Sequence, residues 1–211
     1  MDGQSFREAV EDAKATELDR LGSNKLLVAL TDADLTVEAV VRGAAHSEHA
    51  ARETFRAWAA DEDDPRAREA FADAAAREAD HFDRVLDALD DPHFSPADGG
   101  PMHAYLRERD DAVERVAAGM VGRGMVSVRA HTQVVSFFVN EADERRVDLF
   151  RDLRDETETS LERGLDLLDA LCAGDDDWRR ARMVAEYVVQ VAYDDYADAL
   201  GALGVDPTPI C

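Results

Sequence analysis

Residues 75–89 read "AAREADHFDRVLDAL". Their apolar positions recur at spacings of three and four, which predicts a helix with one buried stripe. Extended upstream, that stripe is Phe71, Ala74, Glu78, His81, Val85 and Leu89. Two of its members are ionisable. An unpaired carboxylate is expensive to bury, so Glu78 and His81 call for partners on other helices or for an ion. Spaced i and i+3, they point the same way from adjacent turns. They therefore offer one carboxylate oxygen and one imidazole nitrogen to a single metal.

The flanking sequence supplies the partners. Gly and Pro number 12 and 6 and cluster between periodic segments, and no stretch shows sustained strand alternation, so the chain reads as all-α. "TDADLT" provides N-cap residues for a long helix over about 35–60. Its stripe is Val37, Val41, Ala44, Glu48, Ala51, Phe55 and Trp58. "DEDDP" ends it, and Pro65 fits the first turn of the next helix, about 64–90. Residues 90–101, "DDPHFSPADGGP", form the clearest loop. It opens a connection of roughly twenty residues, long enough to cross the length of a bundle.

A third helix covers about 112–140, with Val121, Gly124, Val128, His131, Val135 and Phe138 on its stripe. Inside it, "GMVGRGM" at 119–125 permits a kink or close packing. The fourth runs over about 142–173, with Phe150, Leu153, Thr157, Ser160, Gly164, Leu168 and Leu171 inward. Helices over about 3–20 and 176–203 lie outside, and "GVDPTPIC" is a tail. The C-terminal helix, with Tyr187, Tyr193 and Tyr196, is expected to dock on the bundle, a second subunit being the alternative. The predicted architecture is one domain over 1–211: two helical hairpins joined by a long crossover, with a core bundle over about 35–173.

Forty-seven acidic residues face 24 basic ones, for a net charge of −23. Nucleic acid and anionic membranes reward Lys and Arg, so neither is an expected partner. Lys14 and Lys25 are the only lysines, a balance that suits a salty cytosol where screening is strong. The two cysteines, Cys172 and Cys211, form no C-x-x-C, which excludes a cysteine zinc site or a rubredoxin-type iron site. Cys172, in "LLDALC", reads as a small core residue. The N-terminus has no basic start followed by an apolar run, and no run of about 18 apolar residues occurs, so a cytoplasmic protein without signal peptide or membrane span is expected.

The residues that carry the candidate site also carry a resemblance. "EHAARETF" places Glu48, Ala51, Arg52 and Phe55, and "FADAAAREADH" places Phe71, Ala75, Glu78 and His81. Over residues 44–90 the chain resembles the rubrerythrin-like branch of the ferritin-like superfamily. The resemblance implies a four-helix bundle with a di-iron carboxylate centre of the kind used in peroxide reduction, oxygen activation or iron oxidation. The second hairpin departs from the family's pattern. Where a Glu belongs on the third helix stands His131, and where E-x-x-H belongs on the fourth stand Thr157 and Ser160. A register shifted by one offers Glu156 instead, with Thr159 in place of the His. The rubredoxin-like domain that delivers electrons in fuller members has no counterpart, so any redox cycle needs an external electron donor.

Two readings follow. In the first, Glu48, Glu78, His81 and His131, with Glu156 assisting, hold one metal ion. Iron is the first choice, with manganese or zinc as alternatives, in an iron-dependent oxidoreductase acting on peroxide or oxygen. In the second no metal is bound: the bundle has a binding or structural role, and Thr157 and Ser160 hydrogen-bond Glu78 and His81. His46, His49, His93 and His103 are expected at the surface, with His49 able to support the site from outside. A homodimer is expected by analogy with ferritin-like bundles. The charge makes one direct prediction. Melting temperature should climb steeply between low salt and molar KCl as screening relieves repulsion in the folded state. A flat profile would contradict the adaptation to salt.

Overall fold

The computed structural model describes residues 1–89, 91 and 93–208. Asp90 and Pro92 of the expected loop, and Pro209, Ile210 and Cys211 of the expected tail, lie outside the described residues. Every regular element among the described residues is helical: α1 (Gly3–Ala13), α2 (Ala15–Leu21), α3 (Lys25–Leu30), α4 (Val37–Asp61), α5 (Pro65–Ala88), α6 (Gly100–Arg107), α7 (Ala112–Arg115), a π-helical stretch (Val116–Gly122), α8 (Arg123–Asn140), α9 (Glu144–Leu171) and α10 (Asp175–Ala202). No helix among them is long and apolar enough to cross a membrane.

Local chemistry sets the ends of the long helices. The Thr36 hydroxyl accepts from the Ala39 N–H at 3.2 Å and starts α4. Asp64 accepts from the N–H groups of Arg66 and Ala67 at 2.9 and 3.3 Å, with Pro65 in the first turn of α5. Asp143 does the same for α9 through the Arg146 N–H at 3.0 Å. The α4–α5 and α8–α9 pairs pack most extensively, which makes the two expected hairpins. The crossover between them carries the short helix α6, which packs on α4 and α10.

Two features differ from the sequence expectation. The N-terminal helix breaks at Lys14, whose φ of −117° and ψ of 22° leave the helical region. Its ammonium reaches Gln190 Oε1 on α10 at 2.6 Å. The break lets α1 lie along α9 and α10 while α2 lies along α8 and α10. The glycine-rich kink is a π-helical stretch, every residue of which is buried. A π turn holds more residues than an α turn, so side chains beyond it shift around the axis. Arg123 through Ser127 are all buried, and Val128, expected inside, is only half-buried.

The core falls into two apolar clusters. One gathers Phe55, Trp58, Phe71, Met125 and Leu161 with the inner face of α10, including Val184 and Val188. The other gathers Val41, Phe82, Val85, Phe138, Phe150 and Leu153. The buried polar residues Glu48, Glu78, His81, Arg123, His131, Thr157 and Ser160 belong to neither. α10 docks within the chain. Tyr196 is buried, Tyr193 accepts from Arg20 Nη1 at 2.7 Å, and Tyr187 rests on Tyr105 with ring centroids 4.7 Å apart.

Two glycines allow the close approach. A Cβ on Gly119 would lie 2.4 Å from the Trp58 ring, and one on Gly164 would lie 2.8 Å from Met120 Cβ. Gly119→Ala should therefore cost about 1–3 kcal/mol in denaturant unfolding. Gly201 in α10 has open space around it, and Gly201→Ala should be neutral or stabilise by up to about 1 kcal/mol. Equal effects of the two substitutions would show that the close packing around the π-helical stretch is wrong.

Candidate metal centre

The polar layer is built from four helices. α4 contributes Glu48, α5 contributes Glu78 and His81, α8 contributes Arg123 and His131, and α9 contributes Glu156, Thr157 and Ser160. On the α4 and α5 stripes Val37 and Ala44 are half-buried, and the remaining residues are buried as the three-and-four spacing places them. Glu48, Glu78 and His81 are 2%, 1% and 0% exposed. Each of the three offers a ligand atom, and these atoms lie within 4.8 Å of one another. They form a group that could hold a metal ion.

The other two candidates each approach one member of that group. His131 Nε2 lies 3.0 Å from Glu48 Oε1, and Glu156 Oε2 lies 2.8 Å from His81 Nε2. His81 Nδ1 is 3.4 Å from Glu48 Oε2, in a geometry that makes no hydrogen bond. The side chain of Glu156 is partly exposed, and its Oε1 also accepts from Arg84 Nη1 at 3.0 Å. Both registers considered for α9 thus have a physical counterpart. Thr157 and Ser160 are buried, yet Glu156 is the one that reaches the imidazole.

Thr157 and Ser160 do not bond Glu78 or His81. The Thr157 hydroxyl donates to the Leu153 carbonyl at 2.7 Å, and Ser160 Oγ accepts from Arg77 Nη2 at 2.5 Å. Sequence reading missed the group that does bond Glu78. Arg123 Nη2 donates to Glu78 Oε1 at 2.5 Å, with both side chains buried. Its Nη1 donates to Ser127 Oγ at 3.3 Å, and its guanidinium carbon lies 5.3 Å from the centre of the Phe55 ring. The available signal was that Arg123 is the single charged residue in 116–128.

Electrostatics follow from this packing. Burial opposes ionisation of Glu48, but the hydrogen bond from His131 and the adjacent His81 imidazole hold it well below the usual carboxylate range. Burial raises Glu78, Arg123 pulls it back, and the neighbouring Glu48 charge pushes it up again, for a net rise. Burial works against an imidazolium at His81, yet Glu48 and then Glu78 and Glu156 hold its pKa above the usual value.

The remaining histidines divide. His46 and His49 are half-buried. His46 Nδ1 accepts from the Ala97 N–H at 3.0 Å, and His49 Nδ1 lies 2.9 Å from Arg52 Nη2. His103, expected at the surface, is 1% exposed, because Gly99, at φ 84°, brings the crossover backbone against its ring and against Ala50. Cys172 is half-buried, and burial pushes its thiol up to about 11. Compared with known proteins, the chain matches no family model, no curated protein and no solved structure.

Proposed function

We propose that the protein binds one divalent transition-metal ion between Glu48, Glu78 and His81. The observation that carries this reading is the convergence of three buried ligand atoms within 4.8 Å. Two carboxylates and an imidazole suit Fe(II), Mn(II) or Zn(II). The rubrerythrin-like resemblance favours iron, in an oxidoreductase that takes peroxide or oxygen and draws electrons from an external donor. A bound iron would supply one-electron chemistry and a Lewis-acidic position.

The chain's own residues have separate tasks in this reading. His131 donates to Glu48 and fixes the orientation of its carboxylate. Glu156 takes the Nε2 side of His81, which leaves Nδ1 toward Glu48. Such partners orient a ligand and raise its basicity. Arg123 limits the charge that can enter. Glu48 and Glu78 together carry two negative charges, and Arg123 offsets one of them. With Glu156 beside His81 counted, the two negative charges left match one divalent ion and not two, so iron storage is outside its reach.

The metal-free reading also has a specific support, the Glu78–Arg123 ion pair at 2.5 Å. With a proton on His81, whose pKa is held high, the buried charges of Glu48, Glu78, Arg123 and His81 sum to zero without an ion, and Glu156 is paired with Arg84 at 3.0 Å. Metal analysis of the protein as purified, followed by Co(II) titration watched by visible absorption, separates the two readings. The metal reading predicts one tight equivalent in wild type and none in Glu78→Ala or His81→Ala. Glu156→Ala should weaken binding about 10–100-fold, as loss of an orienting partner does elsewhere. Absence of tight binding in wild type would favour the metal-free network.

A second prediction concerns the ion pair itself. Arg123→Met strands the Glu78 carboxylate in the core and should cost about 3–5 kcal/mol in metal-free protein. The double variant Arg123→Met, Glu78→Met should recover most of that loss in chemical unfolding. Added divalent metal should rescue the single variant and leave the double variant unchanged. Rescue of both, or of neither, would remove the assignment of the ion to this carboxylate.

A further inference from the structure

Three side-chain contacts span the seam between α5 and α9. Arg77 Nη2 donates to Ser160 Oγ at 2.5 Å, His81 Nε2 meets Glu156 Oε2 at 2.8 Å, and Arg84 Nη1 donates to Glu156 Oε1 at 3.0 Å. Their spacing puts Arg77, His81 and Arg84 on one face of α5, and Glu156 and Ser160 on one face of α9. These two helices pack far less extensively than α4 with α5 or α8 with α9. The seam is therefore closed by side chains.

Exposure singles out the middle of the seam. Glu48, Glu78, His81, Arg123 and His131 are all buried, whereas the Glu156 side chain is 41% exposed. One of its oxygens meets Arg84, and the other meets a buried imidazole of the candidate centre. Two more carboxylates stand outside it. Asp80 Oδ2 lies 3.1 Å from Arg84 Nη1, Asp152 Oδ2 lies 3.7 Å from Arg84 Nη2, and both side chains are exposed. One guanidinium thus ties together three carboxylates that lead from solvent to His81. The other approach to the layer differs in kind. A cavity of about 340 Å³ reaches Glu48 and His131, but its walls are mostly apolar, with Leu21, Leu27, Leu30 and Val134 among them. Its one other carboxylate belongs to Asp195. A charge taken out of water is costly unless other groups replace the water. The seam supplies carboxylate oxygens in succession, and the apolar cavity wall does not.

We propose that divalent metal ions reach and leave Glu48, Glu78 and His81 through this seam. They pass inward from Asp80 and Asp152 to Glu156, and Arg84 is the latch that they displace. The route rests on the reading of that triad as a metal site. Exposed ion pairs are individually weak, so the latch opens without disturbing the helices that carry it. Arg77, on the same face of α5, has no carboxylate within ion-pair distance among the described residues and stays on Ser160.

Stopped-flow mixing of the metal-free full chain with Co(II), watched by visible absorption, gives the loading rate. Mixing the loaded chain with excess EDTA gives the release rate. In molar KCl long-range fields are screened and local contacts remain. A residue on the path then changes both rates by the same factor and leaves the affinity alone. Arg84→Met should speed loading and release about ten-fold each. Arg84→Lys keeps the charge but not the fork that holds several carboxylates, so it should also speed both. The double variant Asp80→Asn, Asp152→Asn should slow both about ten-fold. Gly43→Leu fills the cavity from α4, where a Cβ meets only Leu30 O at 3.9 Å, and should change neither rate. Slower loading in Gly43→Leu, or rates untouched by the Arg84 and aspartate variants, would overturn the route and leave the centre in place. Wild-type protein that takes up no Co(II) would overturn the centre and the route with it.

Discussion

The Glu78–Arg123 pair is the contact on which the middle of the bundle depends. Both groups are buried, and their separation of 2.5 Å replaces the water that each would otherwise require. A lone carboxylate at that depth would be protonated or would unfold its surroundings. Around the pair, Glu48 is held ionised by His131 and His81, and His81 in turn is held by Glu156. Each buried member of the layer has its charge set by another, and solvent reaches the layer only at its Glu156 edge among the members of the network.

Geometry explains how Arg123 comes to be there. The π-helical stretch turns the chain by more residues than an α-helix would; its Gly119 lets Trp58 press close, and Gly164 of α9 makes room for its Met120. Beyond it a charged side chain sits on a face that an uninterrupted helix would give to its neighbours. The outcome is one internal cation beside two internal carboxylates, a remainder of one negative charge. A proton on His81 cancels that remainder, a divalent ion cancels it together with the charge of Glu156, and the two alternatives exclude each other at the same imidazole.

The first hairpin was legible because its signals are local. Phe71, Glu78, His81 and Val85 share a stripe by spacing alone, Pro65 marks the start of their helix, and all four stripe residues are buried as expected. The second hairpin was less so. Spacing correctly sent Thr157 and Ser160 inward, but it could not show that Glu156, on the flank of the stripe, is long enough to bend back to His81. His103 was out of reach for a different reason. Its burial depends on Gly99 at positive φ and on Ala50 of α4, contacts made across sequence distance. Arg123 carried a signal, a single charge in an apolar run, whose meaning needed the π turn to be seen.

The central claim is that the remaining negative charge of the layer is met by one metal ion at Glu48, Glu78 and His81. Anomalous diffraction from crystals grown with Mn(II), Fe(II) or Zn(II), measured at the absorption edge of each, tests it most directly. The account predicts a single anomalous peak per chain in bonding contact with Glu48, Glu78 and His81, with Arg123 still beside Glu78 or turned toward Ser127. Two peaks in the layer, a peak held by other residues, or an empty layer with His81 and Glu48 in direct hydrogen-bond contact would contradict it.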